Sequence, residues 1–375
     1  MINKIRSWLK NDTGAKQKPA DASRREWLGK VTLPAIGATI GLGIAEKAEA
    51  DSRPVRNDHD SGARIYNIRD FGAKGDGRTL DTKAIQAAVD ACTNDAGGTV
   101  LVPAGVFATG TVELKSNVRL YLSAQAVVLG TDDGKQYYAA DKIPLTGDST
   151  LNDGNVGLFF AVNAANIVIE GPGMIDGQGA RFRSPDKNTP PPAGISGPHR
   201  PYHLLFYRCN NLTVRDIFLK NSAFHSVRVI QCEFARFESL HIRGKVIHNN
   251  DGFHFISSRY VHVTNCDVQS QDDACALFGS CKFITISNCS FSTRWSVFRF
   301  GGGEAEDITI SNCLIYEVYG CPVKMRCGPG SRFENISFSN LVMRDVTGPV
   351  SIGLAATSNR PGASSTPGIV RNISF

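Results

Sequence analysis

Val261-His262-Val263-Thr264-Asn265-Cys266, Ile284-Thr285-Ile286-Ser287-Asn288-Cys289, Ile308-Thr309-Ile310-Ser311-Asn312-Cys313 and Ile336-Ser337-Phe338-Ser339-Asn340-Leu341 are four versions of one phrase. Their first residues lie 23, 24 and 28 positions apart, and weaker copies begin at Ile167, Leu212 and Phe237. A period of about 20 to 50 residues marks a repeat architecture. Within each copy the apolar residues alternate with polar ones, the period of a β-strand with one buried face. The phrase therefore predicts an all-β solenoid. One coil cannot bury its apolar face alone, so coils stack at the spacing of paired strands, about 4.8 Å.

Stacking turns sequence spacing into spatial rows. Cys266, Cys289 and Cys313 fall at equivalent positions, which predicts a row of small buried side chains beside a ladder of Asn265, Asn288, Asn312 and Asn340. In-register neighbours in a parallel sheet have poor disulfide geometry. Of the 10 cysteines, Cys321 and Cys327, flanking a short segment, are the candidate pair. Zinc is disfavoured because no Cys-x-x-Cys spacing occurs, and no metal or cofactor is expected.

The same stacking brings acids together. Asn249-Asn250-Asp251-Gly252 and Gln271-Asp272-Asp273-Ala274 place Asp251 and Asp273 22 residues apart, about one coil, so Asp251 should lie beside Asp272 and Asp273. Carboxylates within about 5 Å cannot all ionise cheaply, so one should keep its proton near neutral pH while a neighbour stays anionic. An acid and a base in one groove suit glycosidic bond cleavage. A single exposed Asp in a solenoid is more often a turn residue, but three converging carboxyls favour chemistry.

These blocks resemble glycoside hydrolase family 28, the polygalacturonase family, whose signature is Asn-x-Asp, Asp-Asp, Gly-His-Gly and Arg-x-Lys on successive coils. The resemblance covers about residues 64–375 and implies a right-handed parallel β-helix, a single-stranded solenoid. It implies Asp272 as general acid, Asp251 and Asp273 as the pair holding the attacking water, and Asn249 as a substrate contact. The third block is missing, since Thr293-Arg294-Trp295-Ser296-Val297-Phe298-Arg299-Phe300 contains no histidine. The fourth keeps only the lysine, in Cys321-Pro322-Val323-Lys324. Neighbouring coils put carboxyls about 5 Å apart, near the spacing of retaining enzymes, whereas the family implies inversion; inversion is the expectation, because side-chain direction can widen the gap.

Counting three residues on from Asp251, Asp273, Ser296 and Cys321 predicts an outward column of His254, Ala276, Arg299 and Lys324, with Phe253, Phe255, Phe298, Phe300, Val323 and Met325 facing inward. Arg299 and Lys324, one coil apart, suit a sugar carboxylate, one through a planar fork and the other as a point charge. A salt bridge from Arg299 to Asp273 is the competing expectation. Trp295 offers either a flat face to a sugar ring or a plug for the core. His225, one coil before Asp251, and His254, three residues after it, are further candidate substrate contacts.

The N-terminus predicts where this chemistry happens. Ser23-Arg24-Arg25 precedes an apolar run from Val31 to Ala45 that ends at Ala48-Glu49-Ala50, the pattern of a twin-arginine export signal over residues 1–50. The expected location is periplasmic or secreted. Of the 41 basic and 35 acidic residues, the signal holds nine and five, leaving a net charge of +2 on the remainder. That balance, with no Lys/Arg run, argues against a nucleic-acid partner.

Residues 51–63 read as a linker and 64–375 as one β-helix domain, expected to act as a monomer. Asp81 should start a helix through Cys92 whose apolar stripe (Ile85, Ala88, Val89, Cys92) caps the first coil and covers its strand edges. Between Gly177 and His203 a Pro-rich insertion carrying Arg181, Arg183 and Arg200 interrupts the repeat, so it should project as a loop; such loops often wall a binding groove and its arginines could reach an anionic sugar, but a plain solvated loop is the favoured expectation. The last residues, Ile369 to Phe375, reopen the phrase found at Asn335-Ile336-Ser337-Phe338, which leads us to expect a domain truncated at its C-terminal end.

Together these features predict an exported glycoside hydrolase acting on a pectin-like or other uronic-acid polysaccharide. Two rivals stay open: a polysaccharide lyase using Arg299 or Lys324 as base with calcium on the aspartates, and a glycan-binding β-helix without activity.

Overall fold

The computed structural model describes residues 64–138, 156–182, 200–355 and 364–375. The export signal, the linker and most of the Pro-rich insertion lie outside the described residues. What is described is the expected parallel β-helix. Nine strands, among them Tyr202–Tyr207, Val227–Ile230, Phe253–Ile256, Cys275–Phe278, Phe298–Gly301 and Val323–Cys327, pair in chain order into one parallel sheet. The remaining strands form a 19-stranded parallel sheet that wraps the rest of the coil.

Register follows the repeat. Val261, Ile284, Ile308 and Ile336 are successive cross-coil partners, and each is buried with its alternate neighbours. The core is a continuous column of aliphatic and aromatic side chains along the axis. Cys266, Cys289 and Cys313 are buried in it as a row, and the amides of Asn340 and Asn312 donate one coil back, to Asn312 at 3.0 Å and Asn288 at 3.3 Å. These asparagines have φ between 51° and 55°, the left-handed region that Asn tolerates best after glycine.

A second left-handed row turns another corner. Asn211 donates to Asn166 and Asn166 to Asn117, both at 2.8 Å. Further along, Asn372 donates to Asn335 and Asn335 to Asp307. The three coils between carry Phe234, Tyr260 and Phe283 at the same position.

Helix α1 (Thr82–Asn94) buries Ile85, Ala88, Val89 and Cys92 against the first strands, as its stripe predicts. Asp81 does not cap the helix with its side chain; it accepts from the Lys74 and Gly75 amides (2.7 and 3.0 Å) and pins the preceding loop. The disulfide expectation is overturned. All ten cysteines are free. Cys321 and Cys327 stand at opposite ends of an extended segment, too far for a bond of fixed length, and their thiols donate instead to the carbonyls of Val323 and of Ser331 and Ile369.

Candidate active site

The acids are placed by the turns that feed the nine-stranded sheet. Asn250, fully buried, donates to the Phe224 carbonyl at 2.7 Å and fastens its turn to the previous coil. Gly252 then lets the chain lie flat on the next coil: a Cβ there would meet the Ala274 carbonyl oxygen at 2.5 Å. The Gly252 amide donates to Asp273 O and the Ala274 amide to Ser296 O, so Asp251, Asp273 and Ser296 form one row across three coils.

Within that row the carboxyls differ in surroundings. Asp272 is half-buried; one oxygen accepts from the Asp273 amide at 2.9 Å and the other from Asn249 Nδ2 at 3.5 Å. Asp273 is 7% exposed and accepts from the Ser296 amide at 3.2 Å. Burial raises the pKa of both. For Asp273, burial and then the neighbouring Asp272 charge push it up to about 7, with Arg299 pulling the other way. The adjacent pair is therefore built to share a proton near neutrality. Of the two, Asp272 is the member open to a ligand.

Asp251 has other partners. His254 Nδ1 lies 2.7 Å from its Oδ2, and His225 Nε2 lies 3.6 Å from the same oxygen. Both histidines are buried, so neither presents a face to substrate as the sequence had led us to expect. They belong to a stack along the axis, Phe224–His225–His254–Phe278, with centroid spacings of 4.4, 4.4 and 5.0 Å. Arg200 lies over the outer face of Phe224 (4.2 Å) and Arg299 over that of Phe278 (5.5 Å). Burial first, then nearby cations including Arg228, drives the pKa of both histidines well below the usual value. That shift favours the neutral imidazole, in which His254 donates through Nδ1–H to Asp251.

His225, Asp251 and His254 also present three metal-type donor atoms within 4.8 Å of one another. Imidazole lone pairs lie in the ring plane, and these rings are parallel to within 7° at 4.4 Å. Both cannot then point at one ion about 2.1 Å away, so the arrangement fits a hydrogen-bonded carboxylate better than a metal.

The column His254, Ala276, Arg299 and Lys324 is as counted, and Arg228 precedes it as the partner of His254. Phe253, Phe255, Phe298, Phe300, Val323 and Met325 are fully buried behind it. Arg299 donates to the Phe300 carbonyl at 2.7 Å, and among the described residues no ion pair joins Arg299 or Lys324 to a carboxylate. The salt bridge from Arg299 to Asp273 is therefore not formed. Lys324 Nζ sits 4.6 Å over the ring of Trp295, which is 50% exposed and so is no core plug.

Two contributors escaped sequence reasoning. Arg200, at the end of the insertion, donates to the His248 carbonyl (2.9 Å) and to Asn249 Oδ1 (3.4 Å), orienting the amide that reaches Asp272. Arg228 is completely buried and donates to the Tyr202 hydroxyl at 2.8 Å. Its place in the outward column was countable; its burial was not.

This site can be set beside known proteins. The chain is 31% identical over 275 residues to the exo-poly-alpha-D-galacturonosidase of Dickeya chrysanthemi, covering 60% of this chain and 43% of that one. It is 26% identical over 304 residues to an exopolygalacturonase of Platanus acerifolia, covering 77% and 75%. The chain thus spans less than half of the first relative's length and three quarters of the second's. Among solved structures, the hyperthermoactive exopolygalacturonase of Thermotoga maritima superposes with a TM-score of 0.70 at 21% identity, over 83% of this chain and 80% of that one. The shared fold is the right-handed parallel β-helix. The family model described as "Glycosyl hydrolases family 28" matches residues 92–375. With that match running over most of its length and through Asp251, Asp272 and Asp273, the chain belongs to glycoside hydrolase family 28.

Proposed function

We propose that this protein hydrolyses glycosidic bonds in a galacturonate-containing polysaccharide such as pectin, by acid–base catalysis at Asp251, Asp272 and Asp273. The reading is carried by one observation: two carboxyls with raised pKa stand beside a third held by a buried histidine, in a groove where Arg299 and Lys324 close no ion pair with a described carboxylate. Asp272, the accessible member of the proton-sharing pair, donates to the leaving glycosidic oxygen. Asp251 and Asp273 hold the attacking water, the His254 hydrogen bond fixing the Asp251 carboxylate. Arg299 and Lys324 bind a sugar carboxylate, Trp295 borders the same subsite, and Asn249 keeps Asp272 in place. His225 acts through the stack rather than on substrate.

The relatives' names make polygalacturonate the first substrate to try. Water delivered from the face opposite the acid would invert the anomeric centre. Proton NMR of the first-formed product, before mutarotation, tests this; retention would overturn the assignment of Asp251 and Asp273. Hydrolysis yields a new reducing end, whereas a lyase yields an ultraviolet-absorbing unsaturated sugar. The twin-arginine pattern places the reaction in the periplasm or outside the cell. Export that survives replacement of Arg24-Arg25 by Lys-Lys would count against that route.

A further inference from the structure

The row of left-handed residues at the second corner changes character in its middle. Asparagines can hold this conformation and bond one another along the axis, yet Phe234, Tyr260 and Phe283 adopt it with φ of 55°, 56° and 57°. A bulky side chain is costly there. The three rings stack face to face, with centroids 4.8 and 5.0 Å apart, but remain 52%, 37% and 43% exposed. Stacking repays part of the strain inside the run. It does nothing for the outer face of Phe234.

That face looks onto the shorter amide ladder. Where the row steps from Asn211 to Phe234, a cavity of about 390 Å³ opens beside the ring. Asn166, Asn211, Phe234, Arg236, Tyr260 and His262 line it. Asn211 donates to Asn166, and because its successor is an aromatic, its own carbonyl oxygen accepts from no described residue. Arg236 is exposed, and its side chain makes no hydrogen bond or ion pair with a described residue. An aromatic face, an open amide acceptor and an unengaged guanidinium converge on one ledge, on a different sheet from the carboxylates.

We propose that this ledge is a second carbohydrate-binding site that holds one uronate residue of a polymer engaged elsewhere by the enzyme. The pyranose ring lies flat on Phe234, a hydroxyl donates to Asn211 Oδ1, and the carboxylate meets Arg236. The opposite end of the aromatic run borders Asp307, whose charge repels such a ligand, so the Phe234 end is the one used. The anionic class of ligand rests on the function proposed above; the ledge itself does not.

Affinity electrophoresis of the full chain in gels containing polygalacturonate, alginate or neutral arabinan tests the site, alongside turnover of a galacturonate trimer. Phe234→Ala and Arg236→Gln should each weaken retardation by polygalacturonate roughly five- to tenfold, while Phe234→Trp retains it and trimer turnover stays at the wild-type level. Wild-type retardation by both anionic polymers together, unchanged in Phe234→Ala and Arg236→Gln, overturns the ledge, as does absence of retardation by any of the three gels. A wild-type chain that is retarded but cleaves no uronate oligomer sinks the proposed function and leaves the ledge to be judged by its variants. Retardation by arabinan alone overturns the uronate assignment.

Discussion

On the larger sheet, several outward charges meet their opposites on a neighbouring coil. Glu170 sits between Arg119 and Arg215, Lys282 reaches Glu304 and Glu306 at 3.1 and 3.0 Å, and Arg259 reaches Glu233 at 2.7 Å. On the nine-stranded sheet, the Asp272–Asp273 pair and the cations Arg299 and Lys324 occupy neighbouring coils without any ion pair among the described residues closing between them. Both faces use the same residue types on the same scaffold. Paired charges satisfy one another and contribute to register; unpaired ones keep their potential for a ligand, and here the acids are also desolvated enough to hold a proton.

The sharpest way to break that contrast is to neutralise an acid in the groove. Asp272→Asn should lower kcat by about 10²–10⁴ with little change in thermal stability, since general acid catalysis supplies a factor of that size. Full activity of this variant on its true substrate would show that Asp272 is not the donor. Removing a groove cation comes next: Arg299→Ala or Lys324→Ala should raise KM for acidic oligosaccharides by roughly 10- to 100-fold and leave their methyl esters much less affected. Equal losses on both would mean that these cations do not read the carboxylate. His254→Ala should cost about tenfold in kcat with little effect on KM, partly restored in His254→Asn, whose amide can still donate to Asp251.

The pH profile refines the same comparison. A raised Asp273 pKa means that the shared proton is lost only as the pH climbs through about 7, so the alkaline limb of kcat/KM should fall there rather than in the ordinary carboxylate range. Because Arg299 lowers the Asp273 pKa, Arg299→Gln should move that limb to higher pH. The raised pKa also means that stability present in acid is lost as pH rises towards 7. Asp273→Asn should therefore melt a few degrees higher than the parent at pH 8, measured calorimetrically, with the difference vanishing near pH 4. The smallest effect belongs to the paired face. Arg332→Gln, which parts from Glu304 and Glu306, should cost under about 1 kcal/mol and leave kcat/KM unchanged.

Much of the groove could be counted from the repeat. The column His254, Ala276, Arg299, Lys324 came from parity alone, because in a parallel solenoid sequence position fixes both coil and facing. The cysteine row and the asparagine ladder follow from the same repeat, and the α1 stripe from helical spacing. Three readings went astray for a common reason. His225 and His254 were expected at a substrate surface but lie inside an aromatic stack; Cys321 and Cys327 were paired by closeness in sequence; and Arg299 was offered a salt bridge it does not make. Each depends on how far a side chain reaches and on what packs over it, and periodicity carries neither.

By itself, then, the sequence determined the coil, its register, the direction in which each strand residue points and the meeting of three aspartates, since all of these are consequences of a repeat that must bury one face. Only the tertiary structure decided that Arg200 from the Pro-rich insertion docks on Phe224 and Asn249, that Arg228 is buried, that two histidines stack with one of them holding Asp251, and that a cavity opens where Phe234 meets an amide ladder. Those features arise from contacts between side chains of unequal length on different coils, which depend on three-dimensional packing rather than on period.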